Sequence, residues 1–207
     1  MPHVADTEPY PWPFDLDAAE LLTGERLALV VTGAQAFYGD LTVGARDVVA
    51  LVEQVAAVVR ASGGVVVQVL HRRPGGAVRL LPVEGRVEHR PLVAAVPGDV
   101  VVEAPAIDGF CGSALERELR ARRRDRLVLC GLGAETTVDS TLRSANDRGF
   151  ECLTLTDASA AHVPDLARRA HASVTMSGGI FGALGTSAAL CAALCEPSTT
   201  IERSFRS

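Results

Sequence analysis

Residues 126–161 carry a strand–helix–strand pattern that restricts the possible folds more than any other part of the sequence. The apolar run LVLC at 127–130 is typical of a strand that is buried on both faces. A helix is predicted over 136–148, because Gly149 supplies a stop signal directly after it. Residues 150–155 then form a second strand-like run. Together these features predict one βαβ unit, whose two strands are parallel and belong to the same sheet.

The turn between this strand and this helix is the predicted position of a functional site. It reads GLGAE, with glycines at Gly131 and Gly133, where the backbone must bend or approach another group closely. In open α/β sheets, ligands bind beyond the carboxyl ends of the strands. A helix N-terminus at that edge also offers unpaired amides and a positive potential. We therefore expect any chemistry to lie near residues 133–137.

Elsewhere the sequence alternates predicted strands with predicted helices. Strands are expected at 27–31, 65–70, 99–103 and 172–176, and helices at 47–61, 114–123 and 161–170, with a final helix within 178–194. This alternation predicts an α/β fold. We expect a doubly wound, mostly parallel sheet of five to six strands with helices on both faces, which makes a three-layer sandwich.

Residues 1–24 differ from the rest because prolines alternate with aromatic residues. The segment contains Pro9, Pro11 and Pro13 between Tyr10, Trp12 and Phe14. Proline at this spacing is incompatible with a regular helix or a central strand, which predicts an extended arm. The aromatic residues favour an arm that docks on an apolar surface, and a flexible tail is the alternative. Residues 25–207 are expected to form a single α/β domain.

The charge distribution argues against a nucleic-acid or membrane surface. The formal net charge is −5 with both signs interspersed, and the basic run at 120–126 is interpreted as the solvated C-terminus of a helix. The first residues lack the positive and apolar regions of a signal peptide. No stretch reaches the ~20 apolar residues that a membrane helix needs. We expect a soluble, cytoplasmic protein that binds neither nucleic acid nor a membrane.

The cysteines give no indication of a disulfide framework or a metal site. There are five, they follow no paired spacing, and no C-x-x-C motif occurs. Reduced thiols fit a cytoplasmic protein. We predict no metal and no cofactor.

The turn and the residues after it resemble the isochorismatase-like superfamily, also called the cysteine hydrolases. The branch that contains biuret hydrolase and N-carbamoylsarcosine amidase is the most similar one. In this family the turn reads Gly-Val-x-x-Asp-x-Cys-Val-x-Ser-Thr, and Gly131, Val138, Ser140 and Thr141 match it here. The resemblance covers residues 8–195 and implies the same doubly wound fold.

The resemblance also implies three catalytic groups: a nucleophilic Cys, an Asp that transfers protons and a Lys that stabilises charge. Their positions are occupied here by Thr137, Thr32 and Ala104. An alignment shifted by one residue places Gly33 at the Asp position, which is not a carboxylate either. All 20 Lys and Arg residues are Arg, so no Lys can take the third role. Because a Thr hydroxyl needs an adjacent base, we expect no amide hydrolysis by the family mechanism.

Two other residues could form a substitute site. Cys111 lies in the turn after the predicted third strand, and Glu135 lies close to the nucleophile position. Cys111 as nucleophile with Glu135 as base is one hypothesis, and structural roles for both are the alternative. Glu103 is next to the Lys position, but neighbouring residues of a strand point to opposite faces.

Residues 71–99 form a long predicted loop, which the resemblance implies to be a variable lid over the pocket. His71 and His89 in this loop either line the pocket or are solvated. The expected ligand-binding residues at the strand ends are Thr32, Phe37, Tyr38, Ala104, Phe110, Cys111, Gly133 and Thr137, with Phe181 as a further apolar wall.

These features favour a pseudoenzyme that binds a small molecule with a carbonyl or carboxylate group, or that scaffolds an active partner. The alternative is an enzyme with altered chemistry in the same pocket, such as a lyase, a cyclase or a non-cysteine hydrolase. The amides of Gly133 and Thr137 are expected to form a cradle for an oxygen of the ligand. The arm is similar to a leader of the family branch, which implies a homodimer or homotetramer. An active paralogue is the other candidate partner.

Overall fold

The computed structural model describes residues 3–14, 22–72 and 88–195. Its strands are β1 (Leu27–Thr32), β2 (Val65–His71), β3 (Val100–Ala104), β4 (Arg126–Leu132), β5 (Glu151–Ala160) and β6 (Ala183–Gly185). They pair in parallel in the order β3-β2-β1-β4-β5-β6. The strand order therefore reverses at β1, with β2 and β3 on one side and β4, β5 and β6 on the other. This six-stranded sheet confirms the predicted doubly wound α/β architecture.

Helices cover both faces of the sheet. They are α1 (Ala36–Leu41), α2 (Ala45–Ala61), α3 (Leu115–Ala121), α4 (Asp139–Asp147), α5 (Pro164–Met176) and α6 (Ser187–Cys195). Helices α2 and α6 contribute to the hydrophobic cluster on one face, and α3, α4 and α5 to the cluster on the other. Within the described residues, no helix is long and apolar enough to span a bilayer.

Strand β1 shows why the central strands are apolar along their whole length. Leu27, Leu29 and Val31 belong to the cluster of α2 and α6, whereas Ala28 and Val30 belong to the opposite cluster. Every residue of β1, β2 and β4 is buried, as expected for parallel strands that are covered on both faces. Full burial of one Leu or Val side chain contributes about 1.5–3 kcal/mol. The central strands therefore give the site a rigid base.

The predicted strand at 172–176 is wrong, because these residues form the last part of α5. Val174 is the buried side chain of this helix, which is the pattern of one helix face rather than the alternating burial of a strand. Pro164 lies in the first turn of α5, where its missing N–H costs nothing. The last strand is instead 183–185, inside the stretch that was predicted to hold the final helix.

The helix predicted over 136–148 begins earlier and in a different form. Residues Ala134–Val138 form a π-helical turn, and α4 follows it directly. Gly149 ends this helix as predicted, with a φ of 74° that glycine adopts without strain. Single π-helical turns inside helices are frequent at functional sites.

The described part of the arm, residues 3–14, lies against β6 at the edge of the sheet. The Glu8 N–H donates to Leu184 O (2.9 Å), and the Leu184 N–H donates to Glu8 O (2.7 Å). The Val4 N–H donates to Trp12 O (2.8 Å), which folds the arm back on itself. Trp12 is fully buried in the hydrophobic cluster of α2 and α6. The arm thus supplies a side chain to the core of its own chain.

The part of the predicted lid at residues 88–92 packs beside the loop after β1. The Ala36 N–H donates to Arg90 O (2.8 Å), and the Leu92 N–H donates to Ala34 O (2.8 Å). Residues 73–87 of the predicted lid lie outside the described residues.

Candidate functional site

The candidate site lies where the carboxyl ends of the strands meet. Thr32, His71 and Ala104 are the last residues of β1, β2 and β3, and Thr137 lies in the π-helical turn after β4. His71 and Ala104 are register partners across β2 and β3. Because the strands are parallel, these four residues lie at one edge of the sheet.

Gly33 shows that the loops after β1 and β4 touch. Its φ is 68°, and a Cβ built on it would lie 2.2 Å from Leu132 O and 2.7 Å from Thr137 Oγ1. No larger side chain fits there without a shift of the β4 loop. The absence of a side chain at Gly33 therefore keeps the ends of β1 and β4 close together.

The Thr137 hydroxyl is held by the backbone of its own loop. Thr137 is fully buried, and its hydroxyl donates to Leu132 O (2.6 Å), with Gly133 O at 3.4 Å. The Gly133 N–H, which was expected to form part of an oxyanion cradle, donates to Ala160 O (2.8 Å). Both of these donors are thus already used within the protein.

His71 contacts Thr32, a contact that no pattern in the sequence indicates. His71 is the last residue of β2 and is buried, so the interpretation as a solvated loop histidine is wrong for this residue. Its Nε2 lies 2.6 Å from Thr32 Oγ1, and its Nδ1 lies 2.7 Å from Ala106 O. A carbonyl oxygen can only accept, so Nδ1 carries a proton. In the neutral ring Nε2 is then the acceptor, and the Thr32 hydroxyl donates to it.

The environment of His71 favours the neutral ring. Burial lowers the pKa of His71 below its ordinary value, and the Ala106 carbonyl and the Asp108 carboxylate partly oppose this shift. At pH 7 the imidazole is therefore uncharged, with a lone pair on Nε2 that can take a proton. A neutral imidazole within hydrogen-bond reach of a hydroxyl is the arrangement that activates a weak nucleophile.

Gln35 fixes the backbone of His71. Its side-chain Oε1 accepts the His71 N–H (2.7 Å), and its Nε2 donates to His89 O (3.2 Å) and, at 3.4 Å, to His71 O. His89 is partly buried and its Nδ1 lies 3.1 Å from His71 O. One buried amide thereby joins the end of β2 to the segment at 88–92.

The aromatic residues predicted for the pocket belong to two separate clusters. Phe37 and Tyr38 pack together with Leu132, and the Tyr38 ring meets the His71 ring edge-on at 6.2 Å. Phe110 belongs to the cluster of α3, α4 and α5. Phe181 packs against that second cluster, and the Arg143 guanidinium lies 4.0 Å from its ring centroid. Of these aromatic residues, Tyr38 is therefore the one with a described contact to His71.

Cys111 and Glu135 occupy different environments. Cys111 is exposed, and its N–H donates to Asp108 O (3.3 Å). Glu135 is largely buried, and its Oε1 accepts from His162 Nδ1 (2.7 Å) and from the His162 N–H (3.3 Å). Glu135 thus connects the π-helical turn to the loop after β5. Its other oxygen, Oε2, is buried without a partner among the described residues.

An exposed ion pair lies beside the Ala104 position. Glu103 is exposed and pairs with Arg72 (3.1 Å), as the alternation of strand side chains predicts. Among residues 3–14, 22–72 and 88–195, no three His, Cys, Asp or Glu side chains converge as a metal-binding group would.

Comparison with known proteins agrees with this fold. Residues 28–188 match the family model of the isochorismatase domain. The ureidoacrylate amidohydrolase RutB of Azorhizobium caulinodans is 36% identical over 78 residues, which cover 38% of this chain and 34% of that protein. RutB of Methylobacterium radiotolerans is 36% identical over 103 residues, which cover 49% of this chain and 39% of that protein. The matched segments therefore span well under half of these curated relatives.

Solved structures cover more of the chain. A cysteine hydrolase from Pseudomonas syringae pv. phaseolicola 1448A superposes with a TM-score of 0.72 at 23% identity, over 84% of this chain and 95% of that one. An isochorismatase family protein from Burkholderia thailandensis superposes with a TM-score of 0.71 at 26% identity, over 84% of this chain and 99% of that one.

Proposed function

We propose that this chain, which belongs to the isochorismatase family, binds a small ligand and does not hydrolyse amides by the cysteine–aspartate–lysine mechanism that the family resemblance implies. The positions that the resemblance assigns to the three catalytic groups hold Thr32, Ala104 and Thr137. We propose that this member is a pseudoenzyme, whose ligand is a small molecule with a carbonyl or carboxylate group.

The side-chain chemistry at the shared strand edge carries this proposal. The three positions that the resemblance assigns to the catalytic groups hold two hydroxyls and a methyl group, and none of them is a thiolate, a carboxylate or an ammonium group. The Thr137 hydroxyl donates to Leu132 O, a carbonyl oxygen that is too weakly basic to activate it. Removing the members of a catalytic triad leaves only the acceleration that binding and oxyanion donors supply.

A ligand screen with two readouts tests the proposal. Thermal shift and turnover are measured with small amides, ureas, carbamoylated amino acids and vinyl ethers. A ligand at 100 times its dissociation constant stabilises the protein by about 2.7 kcal/mol, which is a shift of several degrees for a domain of this size. We expect at least one carbonyl or carboxylate compound to give such a shift, and no amide to be turned over.

Matched variants show where the ligand binds. Thr32→Val removes a hydroxyl at the site. Thr154→Val removes a buried hydroxyl of β5 that has no partner among the described residues, and it serves as control. The shift should be lost in the first variant and kept in the second. Saturable amide turnover that Thr137→Ala abolishes would overturn the proposal.

A second candidate function is an enzyme with altered chemistry at the same strand edge. The hydrogen bond of 2.6 Å between Thr32 and His71 favours it, because this bond places a base beside a hydroxyl. The relatives named ureidoacrylate amidohydrolase also favour a hydrolase. Turnover of any screened compound that depends on Thr32 and not on Thr154 would favour this candidate over the first.

A further inference from the structure

We propose that the reactive hydroxyl of this protein is that of Thr32, with His71 as its general base, and that Thr32 acts as the nucleophile in acyl transfer. This inference rests on the second candidate function, catalysis by altered chemistry at the strand edge, which is the alternative to the pseudoenzyme. The proposed nucleophile lies at the end of β1, whereas the family resemblance implies a nucleophile in the loop after β4.

The two threonine hydroxyls of the site differ in what accepts their protons. Thr137 donates to the carbonyl oxygen of Leu132 (2.6 Å), which is too weakly basic to remove a proton. Thr32 donates to Nε2 of His71 (2.6 Å), which is a base at neutral pH. The hydroxyl at the end of β1 is therefore the one that can become an alkoxide as it attacks.

Three contacts fix the direction of the imidazole. The Ala106 carbonyl accepts from Nδ1 (2.7 Å) and so selects the tautomer with a free lone pair on Nε2. The Gln35 amide holds the His71 backbone, and the Tyr38 ring packs edge-on against the imidazole. A nucleophile, a base and a group that orients the base are the three parts of an activated hydroxyl. Here a backbone carbonyl takes the orienting role.

The proposed step balances in protons and electrons. Thr32 Oγ attacks the carbonyl carbon of an ester, and its proton moves to Nε2 of His71. The tetrahedral intermediate collapses, the bond to the leaving alcohol breaks, and the leaving group takes the proton from Nε2. Water then attacks the acyl-threonine ester and gives a proton to Nε2. Collapse of the second intermediate releases the carboxylic acid and returns this proton to Thr32.

Covalent labelling tests this assignment directly. The full-length protein is incubated with a small alkyl fluorophosphonate, which a nucleophilic hydroxyl displaces at phosphorus with loss of fluoride. The adduct is located by mass spectrometry of proteolytic peptides. Because Thr32 is fully buried, labelling is followed over hours, and its rate includes the opening of the site. We expect a single adduct at Thr32.

Four variants decide between outcomes. Thr32→Val should abolish the adduct, and Thr32→Ser should retain it, which keeps the test valid if the valine variant is poorly folded. His71→Asn should slow labelling roughly 100-fold or more, the usual contribution of a general base. Thr154→Val should label like the parent chain. The rates are compared where labelling increases in proportion to probe concentration, so that opening of the site is not the slow step. No adduct at Thr32, an adduct at Cys111 or Thr137 in its place, or an unchanged rate in His71→Asn would overturn the assignment.

The labelling result is separable from the binding screen. If carbonyl or carboxylate ligands bind in a Thr32-dependent manner but no adduct forms, the assignment of Thr32 as nucleophile is refuted. The proposed binding function is then retained. An adduct at Thr32 without any stabilising ligand supports the nucleophile and refutes the proposed ligand class.

Discussion

Replacing Trp12 by Ala should reveal how much of the stability comes from the arm. The Trp12 side chain is fully buried in the cluster of α2 and α6. A buried aromatic side chain of this kind removes about 150–250 Å² from water, which at ~25 cal/mol per Å² is about 4–6 kcal/mol. Truncation of a buried Trp to Ala in other cores costs about 3–5 kcal/mol. We expect Trp12→Ala to lower the free energy of unfolding by about 3–5 kcal/mol.

The conformational entropy lost when the arm becomes ordered opposes the stabilisation that burial of Trp12 provides. It therefore limits the loss of stability in Trp12→Ala. Each ordered backbone residue costs about 1–2 kcal/mol of conformational entropy. If the arm detaches when Trp12 is truncated, the loss equals the net free energy of docking. The two hydrogen bonds between Glu8 and Leu184 should then open as well. Amide exchange at Leu184 distinguishes a detached arm from a docked arm with a cavity.

The assay combines urea denaturation with hydrogen exchange followed by mass spectrometry. The chain has a single Trp, so the fluorescence of the parent protein reports on the arm, and circular dichroism follows unfolding in both proteins because Trp12→Ala removes the fluorophore. Phe14→Ala is the matched control, because Phe14 lies in the same segment and its side chain is mostly exposed. It should change stability by about 0.5 kcal/mol or less. A Trp12→Ala loss below ~1 kcal/mol, with Leu184 still protected, would refute the inference that the arm belongs to the core.

Three further predictions concern the site and the sheet. Thr137→Cys should not produce amide turnover, because no carboxylate or lysine is available at the positions that the resemblance assigns to them; saturable hydrolysis of a carbamoylated amino acid would contradict this. Burial lowers the pKa of His71 and of His171, so below pH ~6.5 the unfolded chain binds more protons than the folded chain. The free energy of unfolding therefore falls as the pH decreases, by at most ~1.4 kcal/mol per pH unit for each histidine. Urea midpoints between pH 7.5 and 5.5 measure this slope, which should be smaller in His171→Asn and would be absent if both rings were solvated. Gly131→Ala should lower the free energy of unfolding by more than ~2 kcal/mol, because φ is 132° and the added Cβ would lie 2.0 Å from the Thr32 carbonyl oxygen. Gly149→Ala, with φ 74° and nothing within 4 Å of the added Cβ, should cost about 1–2 kcal/mol. Thermal unfolding of both variants measures the difference.

The sheet could be predicted because its signals are local. Apolar runs at 27–31, 65–70 and 127–130 mark strands that are buried on both faces, and the structure has strands at all three. The stop signal at Gly149 depends on backbone conformation alone. The run at 172–176 lacks such a signal, since β-branched residues also occur on the buried face of a helix. Its assignment to α5 depends on packing against the sheet.

The Thr32–His71 contact could not be predicted because it depends on the relation between two strands. The register pairs Thr32 with Val69, so His71 extends two residues beyond this pair and reaches the hydroxyl. The sequence shows only that a histidine follows an apolar run, and strand ends are uncertain by a few residues. The same limit applies to Phe37 and Phe110, which follow different strands and pack in different clusters.

The docking of the arm on β6 has a consequence for synthesis of the chain. Glu8 is synthesised long before its partner Leu184. At about 5–20 residues per second, the arm waits roughly 10–35 s for its strand. During this time the cluster that buries Trp12 is incomplete, because Ala183, Leu190 and Ala193 have not yet been made. The arm therefore completes its docking only after β6 has been made.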